Sequence, residues 1–406
     1  MNRKPLTKNQ IIKLLKKISI KRLKNEKIEL LQSEGRILSS SISSSVNLPP
    51  FKNSAVDGYA LHNKNLKNDK NLKCCYRIAA GDKKNVFLKI NEAARIFTGA
   101  TMPINSNTVI MQENIKEKNN HIYFLKNPKK GQNCRLAGED IKKGTKILQS
   151  GDKIQSTNIN LIAAIGKKNV YVKEKIKIGY FTSGNELQEP SENIFGSKIN
   201  NSNRYSLSSL LNHNFINSKY LGVLRDSEKN ILNLFNKNLY DHDVIITAGG
   251  ASVGEEDYLI NILKQKGKIY FWKAAIKPGR PIAIGKIKNT IIICLPGNPV
   301  SVHLLFGMII KPFLEYLCGS KFILPFKLKA KVNFSMKKKT ERMEWLRVSI
   351  YNKYKKNIYL NKYSKQGSGI ISSLAYSDGI IEIPENVSQI KIGDEFDYYS
   401  FDNLFN

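Results

Sequence analysis

Between residues 176 and 324, short β-branched and apolar runs alternate with segments of helical period. KIKIGYFTSGNEL reads as a strand entering a turn, NRYSLSSLLNHNF as a helix, KYLGVL as a strand and EKNILNLFNKNL as a helix. DVIITAGG, KIYFWKAAI and TIIICLPGN are further strands, EDYLINILKQKG a further helix, and PVSVHLLFGMIIKPFLEYLCG a long apolar helix. Strands that alternate with helices predict an α/β domain around a largely parallel sheet. Open sheets of this kind bind ligands outside the carboxyl ends of their strands. Here those ends carry small and polar residues.

The chain has 406 residues, too many for one ordinary domain. Residues from about 8 to 45 look helical and then polar, and SEGRILSSSISSSVNLPP ends at Pro49-Pro50, a clear break. From 46 to 143, KCCYRIAAG, VFLKI, ARIFTGA, NTVIMQE and HIYFL alternate with turns and predict a mostly-β module. IKKGTKILQSGDKIQ then holds two Gly-centred turns. After Pro325 the strand pattern returns in FKLKAKVNF, EWLRVSIY, KNIYLNKY and GIIEIP, a small C-terminal β module.

The chain carries 66 Lys and Arg against 33 Asp and Glu, a formal charge of +33. The lysines are scattered through every segment among many asparagines and isoleucines, which is a compositional bias and not a patch. No nucleic-acid motif accompanies them, so no nucleic-acid function is expected. The charge should still attract anionic substrates. Five cysteines, an odd number with no CxxC pair, fit a reducing compartment better than a disulfide or zinc scaffold. The N-terminus is basic but lacks the apolar core of a signal peptide; Ile11, Ile12, Leu14, Leu15 and Ile18 recur at helical spacing and predict a surface helix with one packed face. No run approaches the ~18 apolar residues of a membrane span. A cytoplasmic location is expected.

Several stretches could carry chemistry. VIITAGGASVGEEDYL passes from a strand through Gly249-Gly250 to Glu255, Glu256 and Asp257. Acids in a first helical turn usually complement the helix dipole; Asp257 could instead hold Mg²⁺ against a phosphate, since hard cations take carboxylate and phosphate oxygens. Glu186 follows a strand in FTSGNELQ, and Asp226 follows another in GVLRDSE. The three could meet at one metal, or each could cap its own helix. In FWKAAIKPGRPIAIGK, Lys273, Lys277 and Arg280 surround a Pro-Gly turn, suited to a tetrahedral dianion or merely solvated. In ICLPGNPVSVHLLFG, Pro296 and Pro299 stiffen the junction of a strand with a helix that Ser301 opens. PPFKNSAVDGYAL offers Asn53, Ser54 and Asp57, RIFTGATMP offers Thr98 and Gly99, and NCRLAGEDIKKG offers Arg135, Glu139 and Asp140. An Asx turn is the plainer account of the first of these. These last three lie in the β module, so any shared site would span domains or subunits. There is no supported Ser/His/Asp triad, no metal spacing among the five histidines, no Walker loop and no GxGxxG. The residue types favour phosphate, metal and oxyanion binding over a protein nucleophile.

Together PPFKNSAVDGYAL, RIFTGATMP, RLAGEDIKKG, NSNRYSL, ITAGGASVGEEDY, FWKAAIKPGRP and LPGNPVS resemble, in order and spacing, the molybdopterin molybdenumtransferase family of MoeA type, which includes the gephyrin E domain. The resemblance covers nearly the whole chain. It implies an elongated four-domain subunit that forms a homodimer. An N-terminal helix (1–25) packs with the α/β domain (176–324), a linking domain is made of two segments (26–45 and 144–175), the β module (46–143) is inserted between them, and a C-terminal β-barrel (325–406) closes the subunit. The central domain is MogA-like. The implied reaction inserts molybdenum from molybdate into adenylylated molybdopterin and releases AMP, with Mg²⁺. Glu186, Asp226 and Asp257 would hold the cation, and Lys273 would support the phosphates or the anion. Lys277, Arg280, Pro296, Pro299, Ser301, Arg347 and Ser368 would bind molybdate or molybdopterin. Asp57, Thr98 and Asp140 would complete the cleft from the partner subunit. The adenylyltransferase that makes the substrate is a further partner to consider; no nucleic acid or membrane is implied.

This sequence departs from the family pattern at Asn185, where Asp is common, and at Arg280, where Lys is common. Lys52 replaces a usual acid and Thr101 a usual proline. Arg keeps the charge of Lys but changes its geometry. The nearest rival, the related adenylyltransferase, is a much shorter single-domain protein. A pure scaffold would leave the site residues idle.

Overall fold

The computed structural model describes all residues except 1–3, 21–22, 67–70, 83–84, 127–128, 192, 195, 226, 251–257 and 352–357. Its central sheet has six strands in the order Ile216–Leu224, Ile176–Ser183, Val244–Ala248, Thr290–Leu295, Ala283–Ile287 and Lys268–Trp272. The first four are mutually parallel. Ala283–Ile287 runs against both neighbours. It was not expected from the sequence as a strand, because its apolar residues trail a Lys-Pro-Gly-Arg turn. It pairs by folding back through the two-residue turn Lys288-Asn289, with Lys288 at φ 54°.

Side chains of the central strands alternate between two buried layers. Val244, Ile246, Ile291 and Ile293 join one core with the helix Ser202–Leu210 and the long helix Pro299–Leu317. Ile245, Ile292, Phe181 and Cys294 join the other with the helices Glu228–Asn238 and Tyr258–Lys266. Burial on both faces explains why these strands read as unbroken apolar runs.

The helix Pro299–Leu317 has 19 residues and is apolar enough to cross a membrane by length and composition. This corrects the expectation that no run reaches that length. Its apolar surface is occupied by protein: 78% of its most apolar window is buried. That is the behaviour of a core helix.

The N-terminal helix covers only Lys8–Leu15, capped by Thr7 with Gln10. Ile11 and Leu15 are fully buried in the first core. The expected helical stretch therefore ends early. Asn25–Glu29 is instead a strand, antiparallel to Asn169–Lys173, and Ile42–Ser43 pairs with Lys146–Leu148. Leu38, Ile154, Ile162 and Val172 bury together beneath them.

The segment between these pairings forms a six-stranded sheet in the order Thr108–Met111, Gly58–Leu61, Glu92–Ile96, Asn71–Ile78, His121–Phe124 and Ile115–Lys118. VFLKI contributes an isolated bridge at Phe87 and no strand. Gly58–Leu61, too short to stand out in the sequence, lies between two partners. A Cβ at Gly58 would fall 1.9 Å from the Ile110 carbonyl oxygen, so glycine permits that close pairing.

The C-terminal strands Met343–Tyr351, Tyr359–Lys362, Leu328–Val332, Glu395–Ser400 and Gly379–Ile383 close on themselves, because Gly379–Ile383 also pairs with Met343–Tyr351. This is the expected β-barrel. Several ties bind it to the rest, two of them close to the sheet. Ile276–Lys277 adds a short parallel pairing to Met343-Glu344. Lys8 forms a buried ion pair with Glu382, which also accepts from Trp345 Nε1 at 3.0 Å.

Candidate active site

The parallel strands end along one edge. Thr182 lies opposite Ala248, Ala248 opposite Leu295, and Ser183 opposite Leu224. The ladder runs one step further, from Gly184 N–H to the Leu224 carbonyl (3.2 Å) and from Gly249 N–H to the Leu295 carbonyl (3.1 Å). Gly249 has φ 104°, and a Cβ there would sit 2.3 Å from the Ser183 carbonyl oxygen. Only glycine allows the two chains to close up at this point. The edge is thus a row of backbone turns at the place where open α/β sheets bind ligands.

Glu186 is exposed on this edge, its carboxylate folded back over Gly184 so that a Cβ there would meet both oxygens within 2.7 Å. Asp226 and Asp257, with Glu255 and Glu256, lie outside the described residues. Among the described residues no three His, Cys, Asp or Glu side chains form a metal-holding group. Asn185 is exposed, and its carbonyl accepts from Lys198 at 2.5 Å.

The basic side is built from three turns. Lys273 N–H donates to the Ile282 carbonyl and Ala274 N–H to the Arg280 carbonyl, which ties off an arch that exposes Lys277 and Arg280. The arch rests on the long helix: a Cβ at Gly279 would meet Leu305 at 2.9 Å. Lys277 Nζ pairs with buried Glu344 at 3.2 Å while keeping 53% of its side chain exposed. Lys273 lays its ammonium 4.3 Å from the Trp272 ring centroid.

Pro296 is buried, Pro299 opens the long helix, and Ser301 is buried in its first turn. Val300 N–H donates to the Ser368 carbonyl at 3.2 Å, so the loop from the barrel docks on this helix start. Arg347 fixes that loop. Its guanidinium donates to Ser373 Oγ, the Trp345 carbonyl and the Gly367 carbonyl, and the residue is 1% exposed. Burial pushes its pKa down to about 10. Three of its five guanidinium N–H groups are thus engaged. Sequence reading also missed Asn203. Its amide Nδ2 donates to the Gly297 carbonyl at 2.7 Å and steadies the proline turn. The NSNRYSL stretch was the available signal, but nothing in it showed which carbonyl Asn203 would reach.

The inserted module presents a separate constellation. Asp57 Oδ1 accepts from both Thr98 N–H and Thr98 Oγ, each at 2.8 Å. The two residues are 41 positions apart, so this is no local Asx turn. The Thr98 backbone and hydroxyl donors, with the nearby Arg95 charge, hold the Asp57 pKa below the ordinary carboxylate range. Asp140 is exposed, and its N–H donates to the Leu48 carbonyl. Glu139 only closes a local turn, accepting from Leu136 N–H at 2.7 Å. Lys52 donates to the Ser106 carbonyl and braces the same loop. Among the described residues no hydrogen bond joins Asp57, Thr98 or Asp140 to the α/β domain.

Residues 7–166 match the MoeA N-terminal region (domain I and II), 179–316 a probable molybdopterin binding domain, and 329–401 the MoeA C-terminal region (domain IV). The molybdopterin molybdenumtransferase of Haemophilus influenzae is 32% identical over 381 residues, covering 93% of this chain and 94% of that protein. The chain belongs to the molybdopterin molybdenumtransferase family. The family member from Nostoc is 31% identical over 322 residues, covering 77% of this chain and 74% of that protein. The crystal structure of the MoeA protein from Pyrococcus horikoshii superposes with a TM-score of 0.82 at 29% identity, covering 98% of this chain and 100% of that one. The six-stranded central sheet and the closed five-stranded barrel are thus the central and C-terminal parts of a MoeA-like fold.

Proposed function

We propose that this chain is a transferase that inserts molybdenum from molybdate into adenylylated molybdopterin and releases AMP. The observation that carries it is the convergence of the Lys277–Arg280 turn, the Pro296–Ser301 helix start and the Ser368 loop beside the carboxyl edge of the parallel sheet. Exposed cations next to a helix start form a seat for a tetrahedral dianion. Lys277 and Arg280 would supply charge-assisted donors to molybdate, with Ser301 and Ser368 contributing from the helix start and the barrel loop. Pro296 and Pro299 keep the turn from collapsing, and Arg347, which holds the Ser368 loop, would turn its remaining donors to the anion.

The edge at Ser183–Glu186, Leu224 and Gly249-Gly250 would take the pyrophosphate and pterin. Its one described acid, Glu186, offers hard oxygen donors, which fit Mg²⁺, and Asp226 and Asp257 would share that cation. When bound, the cation offsets charge that develops as the phosphoanhydride breaks. Lys273 would support the phosphates. Asp57, Thr98 and Asp140 sit on a different unit, which supports a homodimer in which the partner subunit completes the cleft. We place the reaction in the cytoplasm, and the enzyme that adenylylates molybdopterin is a candidate for direct transfer of the product.

The test is AMP release under anaerobic conditions from adenylylated molybdopterin, Mg²⁺ and molybdate. Molybdate-dependent AMP, with metal-loaded pterin formed, is expected. A folded protein that binds the pterin and releases no AMP overturns the transferase reading.

A further inference from the structure

The inserted sheet carries a feature that has no part in the site described so far. Strand Asn71–Ile78 runs parallel to Glu92–Ile96, and its register slips once. Lys73 and Cys74 lie opposite Glu92 and Ala93, but Tyr76 lies opposite Ala94 and Arg77 opposite Arg95. The extra residue is a bulge, and one extra residue moves every following side chain to the other face. Regular pairing would have set Tyr76 beside Arg95. Arg77 takes that place, with Tyr59 on Arg95's other side.

Like charges directly opposite each other across a sheet repel. Neither guanidinium has an ion-pair partner among the described residues. Arg95 donates to the neutral amide of Gln112. Both lie against one ring, with guanidinium carbons 4.6 Å (Arg77) and 5.1 Å (Arg95) from the Phe97 centroid. Phe97 shields one side of each, and the Tyr59 ring also lies 5.0 Å from Arg95, which strengthens any charge interaction made at the open edges of the guanidinium planes. The pair lines an open cleft of about 390 Å³. Glu117, which also lines it, accepts the Tyr59 hydroxyl at 2.6 Å. Arg95, which lines the cleft, is near enough to Asp57 for its charge to lower the Asp57 pKa, so the cleft neighbours the Asp57–Thr98 pair.

We propose that Arg77 and Arg95, aligned by the bulge and backed by Phe97, form a second anion seat that takes phosphate oxygens of the adenylylated substrate or of AMP. It rests on the transferase reading. Two planar guanidinium forks match phosphate oxygens bidentately, which scattered lysines do not.

Calorimetric titration of the full chain with AMP, pyrophosphate, adenosine and molybdate tests it, with Arg77→Gln and Arg95→Lys compared against Lys118→Ala, an exposed charge on the edge strand of the same sheet. Arg77 is exposed, so its variant is expected to fold. The expected result is that Arg77→Gln weakens AMP and pyrophosphate about tenfold or more, as loss of a charged hydrogen bond does. Arg95→Lys should do the same despite its retained charge. Lys118→Ala, adenosine binding and molybdate affinity should change less than about twofold, as exposed charges do. AMP binding equal to the parent in folded Arg77→Gln overturns the seat, as does an unbound AMP in the parent or a loss confined to molybdate. Molybdate-dependent AMP release by the parent is measured alongside. If turnover proceeds and the variants bind AMP normally, the seat alone fails; if the seat binds but nothing turns over, the transferase reading alone fails.

Discussion

The Lys277–Ser301–Ser368 side and the Asp57–Thr98 side of this molecule are made in different ways. On the first, exposed cations stand on buried supports: Lys277 is strand-paired beside buried Glu344, Gly279 presses on Leu305, and buried Arg347 holds the Ser368 loop through the Gly367 carbonyl. On the second, an exposed Thr98 and a half-buried Asp57 hold each other across two loops of a thin sheet. Rigid backing suits a group that must present charge to a small dianion without reorganising. The module side is a local clamp.

The comparison breaks first at Lys277. Lys277→Ala should cut molybdate-dependent AMP release by about 100- to 1,000-fold, the usual cost of one preorganised donor. AMP release within a few-fold of the parent would place the anion away from the Lys277–Arg280 turn. Gly249→Ala strikes the backbone row instead. With a Cβ 2.3 Å from a carbonyl and φ 104°, it should cost about 2–4 kcal/mol in urea unfolding. An unchanged midpoint would mean that the edge is pliable.

Thr98→Val tests the clamp. It removes the hydroxyl donor and leaves the N–H, so the Asp57 pKa should rise and activity should fall about tenfold, with little change in stability. A drop as large as that of Asp57→Asn would assign Thr98 a direct role on substrate.

Mild acid should separate the two sides with the smallest effect. His213 is pushed down to about 4 by burial and by Lys311 and Lys153. The unfolded chain therefore binds this proton first, and stability falls as pH drops from about 6.5 to about 4. The group is partly exposed, so the loss should be about 1–2 kcal/mol. His213→Phe should flatten unfolding curves over that range. Asp57 has a lowered pKa, so its contribution is present above the ordinary carboxylate range and goes only as pH falls through the folded value. Asp57→Asn should therefore leave the slope between about pH 5 and 6.5 unchanged. If it is Asp57→Asn that flattens the curve, the assignment of the acid sensitivity to His213 is wrong.

Legibility in the sequence followed burial. Val244–Ala248 and Thr290–Leu295 were plain because both faces are buried and all but one residue in each, Thr247 and Thr290, is apolar. Gly58–Leu61, Ala283–Ile287 and Glu395–Ser400 were not, because partners far away in the chain make them strands. Glu186, Lys277 and Ser301 could be picked out by their turns. Asn203 and the loop contacts of Arg347 could not, since both depend on which distant carbonyl a side chain reaches.

From the sequence alone came the α/β pattern, the glycine and proline turns that end its strands, and the residue types that suit anions. These are local properties, set by side-chain period and backbone freedom. Tertiary structure decided the rest: that Ser368 docks on Val300, that Asp57 meets Thr98, and that one bulged residue sets Arg77 beside Arg95. Register and docking depend on contacts between segments tens to hundreds of residues apart, and no local period in the chain encodes them.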